Sequence, residues 1–140
     1  MACEMLYIDQ KYAREMVAHA LEDDPNECCG ILAGKKGRVQ KLYRMANVEA
    51  SPYRYRMDPQ ELLKVYLEID NSGWDIVAFY HSHTHSEAYP SATDLRLATW
   101  PEVRYVLISL LDKENPPIRA FHIENGNIIE EELEIGGAGR

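Results

Sequence analysis

The run DIVAFYH (Asp75 to His81) is the most apolar stretch of the chain, and it leads into three histidines at alternate positions, His81, His83 and His85. A short continuous apolar run of this kind reads as a strand covered on both faces. The fold therefore needs elements for both sides of a sheet that has this strand near its centre. It also has to house polar rings where the strand leaves the sheet. HSHTHSEAYPSATD (residues 81–94) is too dense in imidazole for an ordinary core. By themselves these residues leave three readings open: a metal site, a serine nucleophile with its base, and a solvated loop.

The covering elements are legible on either side. LYI opens as a short strand. Asp9 is an N-cap for a helix running to about Glu22, with an apolar stripe of Tyr12, Met16, Val17, Ala20 and Leu21. Pro25 breaks the chain, CCGILAG reads as a buried strand, and GKKG (Gly34 to Gly37) as the turn into RVQKLYRM. YRYRM, from Tyr53 to Met57, alternates with period two and reads as a half-buried strand. Asp58-Pro59 sets a cap before proline at the first helical position, so a second helix is expected to reach Ser72, with Gly73 just beyond. Ser91, with the acidic Asp94 three residues on, reads as a third helix start. RYVLISLLD, IRAFHIE and NIIEEELEI read as closing strands, the last two joined by a turn at ENGN. The order predicts an α/β fold with a mixed sheet and flanking helices. Residues 1–135 read as one domain and 136–140 as a frayed tail.

Bulk properties narrow the function. At 140 residues the chain is long enough to bury a core of its own, and its formal net charge of −8 argues against meeting phosphates, so no nucleic acid and no anionic membrane is expected as partner. No run approaches a membrane span, and the N-terminal segment lacks a secretory pattern. The three cysteines, Cys3, Cys28 and Cys29, make a poor disulfide framework, which suits a reducing cytoplasm.

On an extended segment, side chains two apart point the same way, so His81 and His83 share a side while Ser82 points away. Two such nitrogens and a carboxylate make a zinc site with one open position, and Asp94, on the first turn of the third helix, is the nearest carboxylate. His85 ranks below them, since three ligands so close in sequence leave little freedom for a tetrahedron. The serine-nucleophile reading lacks a G-x-S-x-G elbow. His19 and His122 read as structural.

His81-Ser82-His83, seven residues, Ser91, two residues and Asp94 resemble the H-[ST]-H-x7-S-x2-D motif of the JAMM (MPN+) metallopeptidases. PNECCGILAG places Glu27 where that family keeps its upstream glutamate. The resemblance spans nearly the whole chain and implies a cytidine-deaminase-like JAMM domain with a curved mixed sheet. It implies one zinc ion per chain on His81, His83 and Asp94, with Glu27 as general base and Ser91 as oxyanion donor. YHSHTHSEAYPSATDLRLATWPEVRYVLIS and IENGNIIEEE further resemble the Mec-type bacterial members, although His85 and the adjacent Cys28–Cys29 pair depart from them.

That likeness implies hydrolysis after the C-terminal Gly-Gly of a ubiquitin-like sulfur-carrier protein, with release of an amino acid, expected to be cysteine. Arg54, Arg56 and Arg96 are the candidates for holding the leaving group's carboxylate. Two alternatives stay open: an isopeptidase acting on a ubiquitin-like modifier, and a non-catalytic MPN scaffold. A homodimer is compatible with the sequence.

Overall fold

The structure, a computed structural model, describes residues 5–137. Strand β1 (Leu6–Asp9) runs into helix α1 (Gln10–Asp23), capped as Asp9 accepts a hydrogen bond from the Lys11 N–H at 3.0 Å. Strands β2 (Cys29–Lys35) and β3 (Arg38–Met45) form a hairpin whose turn residues Lys36 and Gly37 both have positive φ. Helix α2 (Pro59–Asn71) starts on Asp58, which accepts from the Glu61 N–H, and stops before Gly73 at φ +79°. Strand β4 (Asp75–His83), helix α3 (Ala92–Leu97) and strands β5 (Arg104–Ser109), β6 (Ile118–Glu124), β7 (Asn127–Glu131) and β8 (Leu133–Gly136) complete the chain.

All eight strands form one mixed sheet in the order β7-β6-β5-β4-β2-β3-β1-β8, with β4 flanked by β2 antiparallel and β5 parallel. One core cluster packs α1 against one face through Met16, Ala20, Leu32, Tyr80 and Val106. A second joins Ile31, Ile69, Phe79, Leu107 and Phe121 on the other, with Leu62 and Val65 of α2 and Leu95 of α3 packed on it. Truncating the fully buried Phe121 to alanine would cost about 3–5 kcal/mol. Gly30 is required by this packing, because a Cβ there would lie inside the Tyr80 ring.

Two strand expectations from the sequence are corrected. NIIEEELEI is not one strand: it breaks at Glu132, and β7 and β8 lie at opposite edges of the sheet. One residue spans only about 7 Å, whereas a flat eight-stranded sheet is more than about 30 Å wide. The sheet must therefore curl until its edges approach, and residues of β6, β7 and β8 line a common cavity of about 840 Å³ between them. YRYRM is likewise not a strand. Its alternation is kept only from Arg54 to Met57, with Tyr55 and Met57 half-buried, Arg54 and Arg56 exposed and Tyr53 exposed as well, and the segment pairs with the loop after β3 through the Val48 N–H to Arg56 carbonyl bond of 2.9 Å. The stretch read as a tail begins inside β8, where Gly136 pairs with Asp9, and residues 138–140 lie outside the described part.

Candidate metal centre

Three elements converge where β4 leaves the sheet. β4 carries His81 and His83 on the α2/α3 side, while the intervening Ser82 faces the other way and accepts from the Cys28 N–H at 2.8 Å. α3 carries Asp94 in its first turn. Ser91 and Asp94 form a capping box: the Ser91 Oγ accepts from the Asp94 N–H at 3.1 Å, and Asp94 Oδ2 accepts from the Ser91 N–H at 2.9 Å. The cap holds the carboxylate facing the histidines. His83 Nε2 is 3.0 Å from Asp94 Oδ2 and His81 Nε2 is 3.2 Å from Asp94 Oδ1.

The ligand atoms of His81, His83 and Asp94 lie within 4.8 Å of one another, all three residues are buried, and they are the one such group among the described residues. The His83 ring is oriented by its Nδ1, which donates to the Glu87 carbonyl at 2.9 Å and so leaves Nε2 as the nitrogen that can offer a lone pair. His81 is backed by the Tyr55 ring, stacked at 4.5 Å and 28°.

Whether this set suits a metal is decided by its unpartnered atoms. Among the described residues, the buried side-chain nitrogens and oxygens without a hydrogen bond are Glu27 Oε1, His81 Nδ1 and His81 Nε2, all at this site. The His81 Nε2 contact with Asp94 is close but off the line of a hydrogen bond. A buried polar atom left unsatisfied costs about 1–3 kcal/mol, and a cation held among the three side chains would satisfy the His81 nitrogen. Two imidazole nitrogens and a carboxylate are the donor set of a catalytic zinc site.

Electrostatics act differently on the two rings and on the two carboxyls. Burial lowers His81, which favours the neutral, ligating ring. Burial works in the same direction on His83, but its hydrogen bonds with Asp94 and Glu87 outweigh that and raise it. Burial would raise Asp94, yet its close contacts with the two histidines hold it far below the usual carboxylate range. Glu27, just before β2 and only 3% exposed, is pushed up to about 8 by burial, with His83 opposing and Asp94 adding.

The remaining candidates divide. Arg54 and Arg56 are exposed and both turn toward Glu49, at 3.0 and 3.9 Å. Arg56 also borders a cavity of about 180 Å³ lined by Tyr55, the ring stacked on His81, with Leu62, Phe79, Trp100 and Tyr105. Arg96 is exposed and donates to Thr93 Oγ1 on its own helix. His85 is exposed and shares a 2.8 Å hydrogen bond with Thr84 Oγ1. Cys28 and Cys29 are free and buried, and burial raises both thiols, Cys28 to about 12. Tyr55 is absent from the sequence reading of the site; its place in the YRYRM alternation put it on a buried face, but nothing local paired it with His81.

A curled mixed sheet with a His-x-His strand end facing a helix-borne aspartate defines the JAB/MPN class of domain. The family described as prokaryotic homologs of the JAB domain matches residues 9–124, and the chain belongs to it. It is 42% identical over 133 residues to the CysO-cysteine peptidase of Mycobacterium tuberculosis, covering 94% of this chain and 91% of that protein. It is 33% identical over 123 residues to the probable TtuB-protein conjugate cleaving protease of Thermus thermophilus, covering 87% and 78%. The crystal structure of AF2198, a JAB1/MPN domain protein from Archaeoglobus fulgidus, superposes with a TM-score of 0.61 at 16% identity, covering 94% of this chain and 99% of that one, and so shares the fold. No helix among the described residues is long and apolar enough to cross a membrane.

Proposed function

We propose that the chain is a zinc metallopeptidase that cuts after the C-terminal Gly-Gly of a ubiquitin-like sulfur-carrier protein and releases a single amino acid, cysteine. The observation that carries this reading is the buried convergence of His81, His83 and Asp94 beside the unpartnered carboxyl of Glu27. The likeness to a CysO-cysteine peptidase over nearly the whole length supports the substrate class.

His81 and His83 through Nε2, with Asp94, would hold the ion. Zinc there supplies Lewis acidity, making water a nucleophile at neutral pH and polarising the scissile carbonyl. Glu27 does the proton work: its carboxylate takes the proton of the attacking water and returns it to the leaving amine. A base whose affinity for protons has been raised toward neutrality by burial is matched to that task. The Ser91 hydroxyl is occupied only as an acceptor, from Asp94 N, so its own proton is free to meet the developing oxyanion. One such donor is worth about 3 kcal/mol. The tail would enter as an extended strand whose glycines let the backbone come close. The cavity beside Tyr55 has room for one apolar side chain upstream of them. Arg54, Arg56 and Arg96 remain the candidates for holding the free carboxylate, Arg54 and Arg56 once released from Glu49. Among the described residues the two buried thiols of Cys28 and Cys29 are free.

A second reading, an isopeptidase acting on lysine-linked conjugates, is favoured by the Thermus relative, whose name describes a conjugate-cleaving protease. Intact-mass analysis under single-turnover conditions separates the two. A carrier ending in Gly-Gly–cysteine should lose one cysteine faster than a lysine-linked conjugate is cut. Faster cleavage of the lysine isopeptide would overturn the sulfur-carrier reading.

A further inference from the structure

We infer that Asn47 is the positioning residue of this site, a single side chain that sets both the general base and the tyrosine backing His81. The inference rests on the reading of Glu27 as base and His81 as ligand. In the antiparallel register of β2 and β3, Cys29 faces Met45. Continued two residues beyond both strands, that register brings Glu27 opposite Asn47. There the Asn47 amide uses its whole hydrogen-bonding capacity. Nδ2 donates to the Glu27 carbonyl at 2.9 Å and the Arg54 carbonyl at 3.0 Å, and Oδ1 accepts from the N–H groups of Glu49 and Arg56, both at 3.1 Å. The opposite amide rotamer would face two N–H groups with an NH₂ and two carbonyls with an oxygen, so the orientation is fixed.

Three of these four bonds bear on the chemistry. The Glu27 carbonyl is gripped by Asn47, and the Glu27 N–H donates to Ser51 in the same loop at 2.9 Å. The base therefore has both backbone groups tied to the loop that Asn47 organises. The Arg54 carbonyl and Arg56 N–H flank Tyr55 on either side, so the same amide holds Tyr55 between two of its bonds. Tyr55 has no strand partner and needs that grip to keep its ring 4.5 Å from His81. None of the four Asn47 hydrogen bonds goes to a ligand side chain. It acts through the backbone of Glu27 and Tyr55.

The test uses the full chain, with zinc as the probe. Asn47→Ala should lower kcat about 10- to 100-fold with KM nearly unchanged, the range usual for partners that orient a metal site. Competition with a chromophoric chelator should show zinc bound about tenfold more weakly. In the metal-free protein, the ring-current shift that Tyr55 imposes on the His81 ring protons should collapse by NMR. Asn47→Ala and Tyr55→Ala should be non-additive on zinc affinity, since one acts through the other. If the alanine variant does not fold, Asn47→Asp carries the test: it keeps the acceptor for Glu49 and Arg56 but sets an oxygen against the Glu27 carbonyl, and its kcat should fall at least about tenfold. Parental kcat, zinc affinity and His81 shifts in a folded variant would overturn the inference. Should Glu27→Gln itself keep full activity, the reading of the base fails instead, a separate result.

Discussion

The protein holds two buried histidine centres back to back on β4, and they differ in one respect. On the α1 face, His19 Nδ1 meets the Tyr80 hydroxyl at 2.8 Å and Nε2 lies 3.4 Å from Asp23, whose side chain is 38% exposed. Every nitrogen has a partner and the carboxylate is solvated. On the other face, one residue further along the strand, His81 and His83 face Asp94, whose side chain is 7% exposed, and both His81 nitrogens lack a hydrogen bond. The same residue types make a lock in one place and, in the other, a candidate receptor that could hold a metal. What separates them is unsatisfied donor and acceptor capacity shut off from water, which a fold retains only where something else will meet it.

The contrast breaks first, and most widely, at His83. His83→Ala should bring zinc from one per chain to near zero by elemental analysis and abolish turnover with it. Full occupancy in that variant would remove His83 from the ligand set and put His85 forward. Glu27→Gln is the next largest effect. It should keep the zinc and lose about 10²–10⁴-fold in kcat, because the amide is nearly isosteric but accepts no proton. Loss of zinc together with activity would make Glu27 a ligand, and a rate near that of the parent would take it out of the mechanism.

The third prediction concerns stability in the chelated protein. Glu27 is pushed up to about 8 in the fold, from an ordinary value of 4.5. Below about pH 4 the carboxyl is protonated folded and unfolded, and contributes nothing either way. Between 4.5 and 8 the unfolded chain has released the proton that the folded protein keeps, so stability declines as pH rises through that window, and the full cost is present above it. Glu27→Gln, neutral throughout, should match the parent at pH 4 and be more stable by about 2–4 kcal/mol at pH 8.5 in urea unfolding of metal-free protein. Zinc should shrink the difference, because its charge favours the carboxylate. A Gln variant no more stable than the parent at pH 8.5 would mean that Glu27 is solvated.

Much of the receptor was legible from the chain, and little of what holds it. His81, His83 and Asp94 could be joined from spacing because a strand end and a helix cap are local devices. Glu27 needed the family resemblance, since a lone glutamate before a strand reads as surface. Ser91 is legible locally as a cap, its oxyanion role only through the resemblance, and the structure adds the reciprocal bond that aims Asp94. Asn47 and Tyr55 had no local signature: their roles exist only once the β2–β3 register sets Asn47 against Glu27 and the segment after it folds back. The break of NIIEEELEI at Glu132 was hidden for a similar reason. Its composition suits a strand on either side, and only closure of the sheet requires the chain to change edges there.

The smallest expected effect falls on the lock. In the neutral tautomer that fits both contacts, His19 Nδ1 accepts from the Tyr80 hydroxyl and Nε2 donates toward Asp23. Burial supports this by lowering His19 and by raising Tyr80 beyond the range in which it would ionise. Tyr80→Phe deletes only the hydroxyl, leaving the ring in the space that Gly30 keeps open. It strands one buried nitrogen and should cost about 1–2 kcal/mol in urea unfolding. Zinc affinity and kcat should stay within twofold of the parent's. His81 points to the opposite face, and its backbone is held by ladder pairing with Cys29 on one side and Leu107 on the other, neither of which involves that hydroxyl. A tenfold loss of zinc affinity in a stably folded Tyr80→Phe variant would mean that the two centres communicate through β4, and that the lock is part of the receptor.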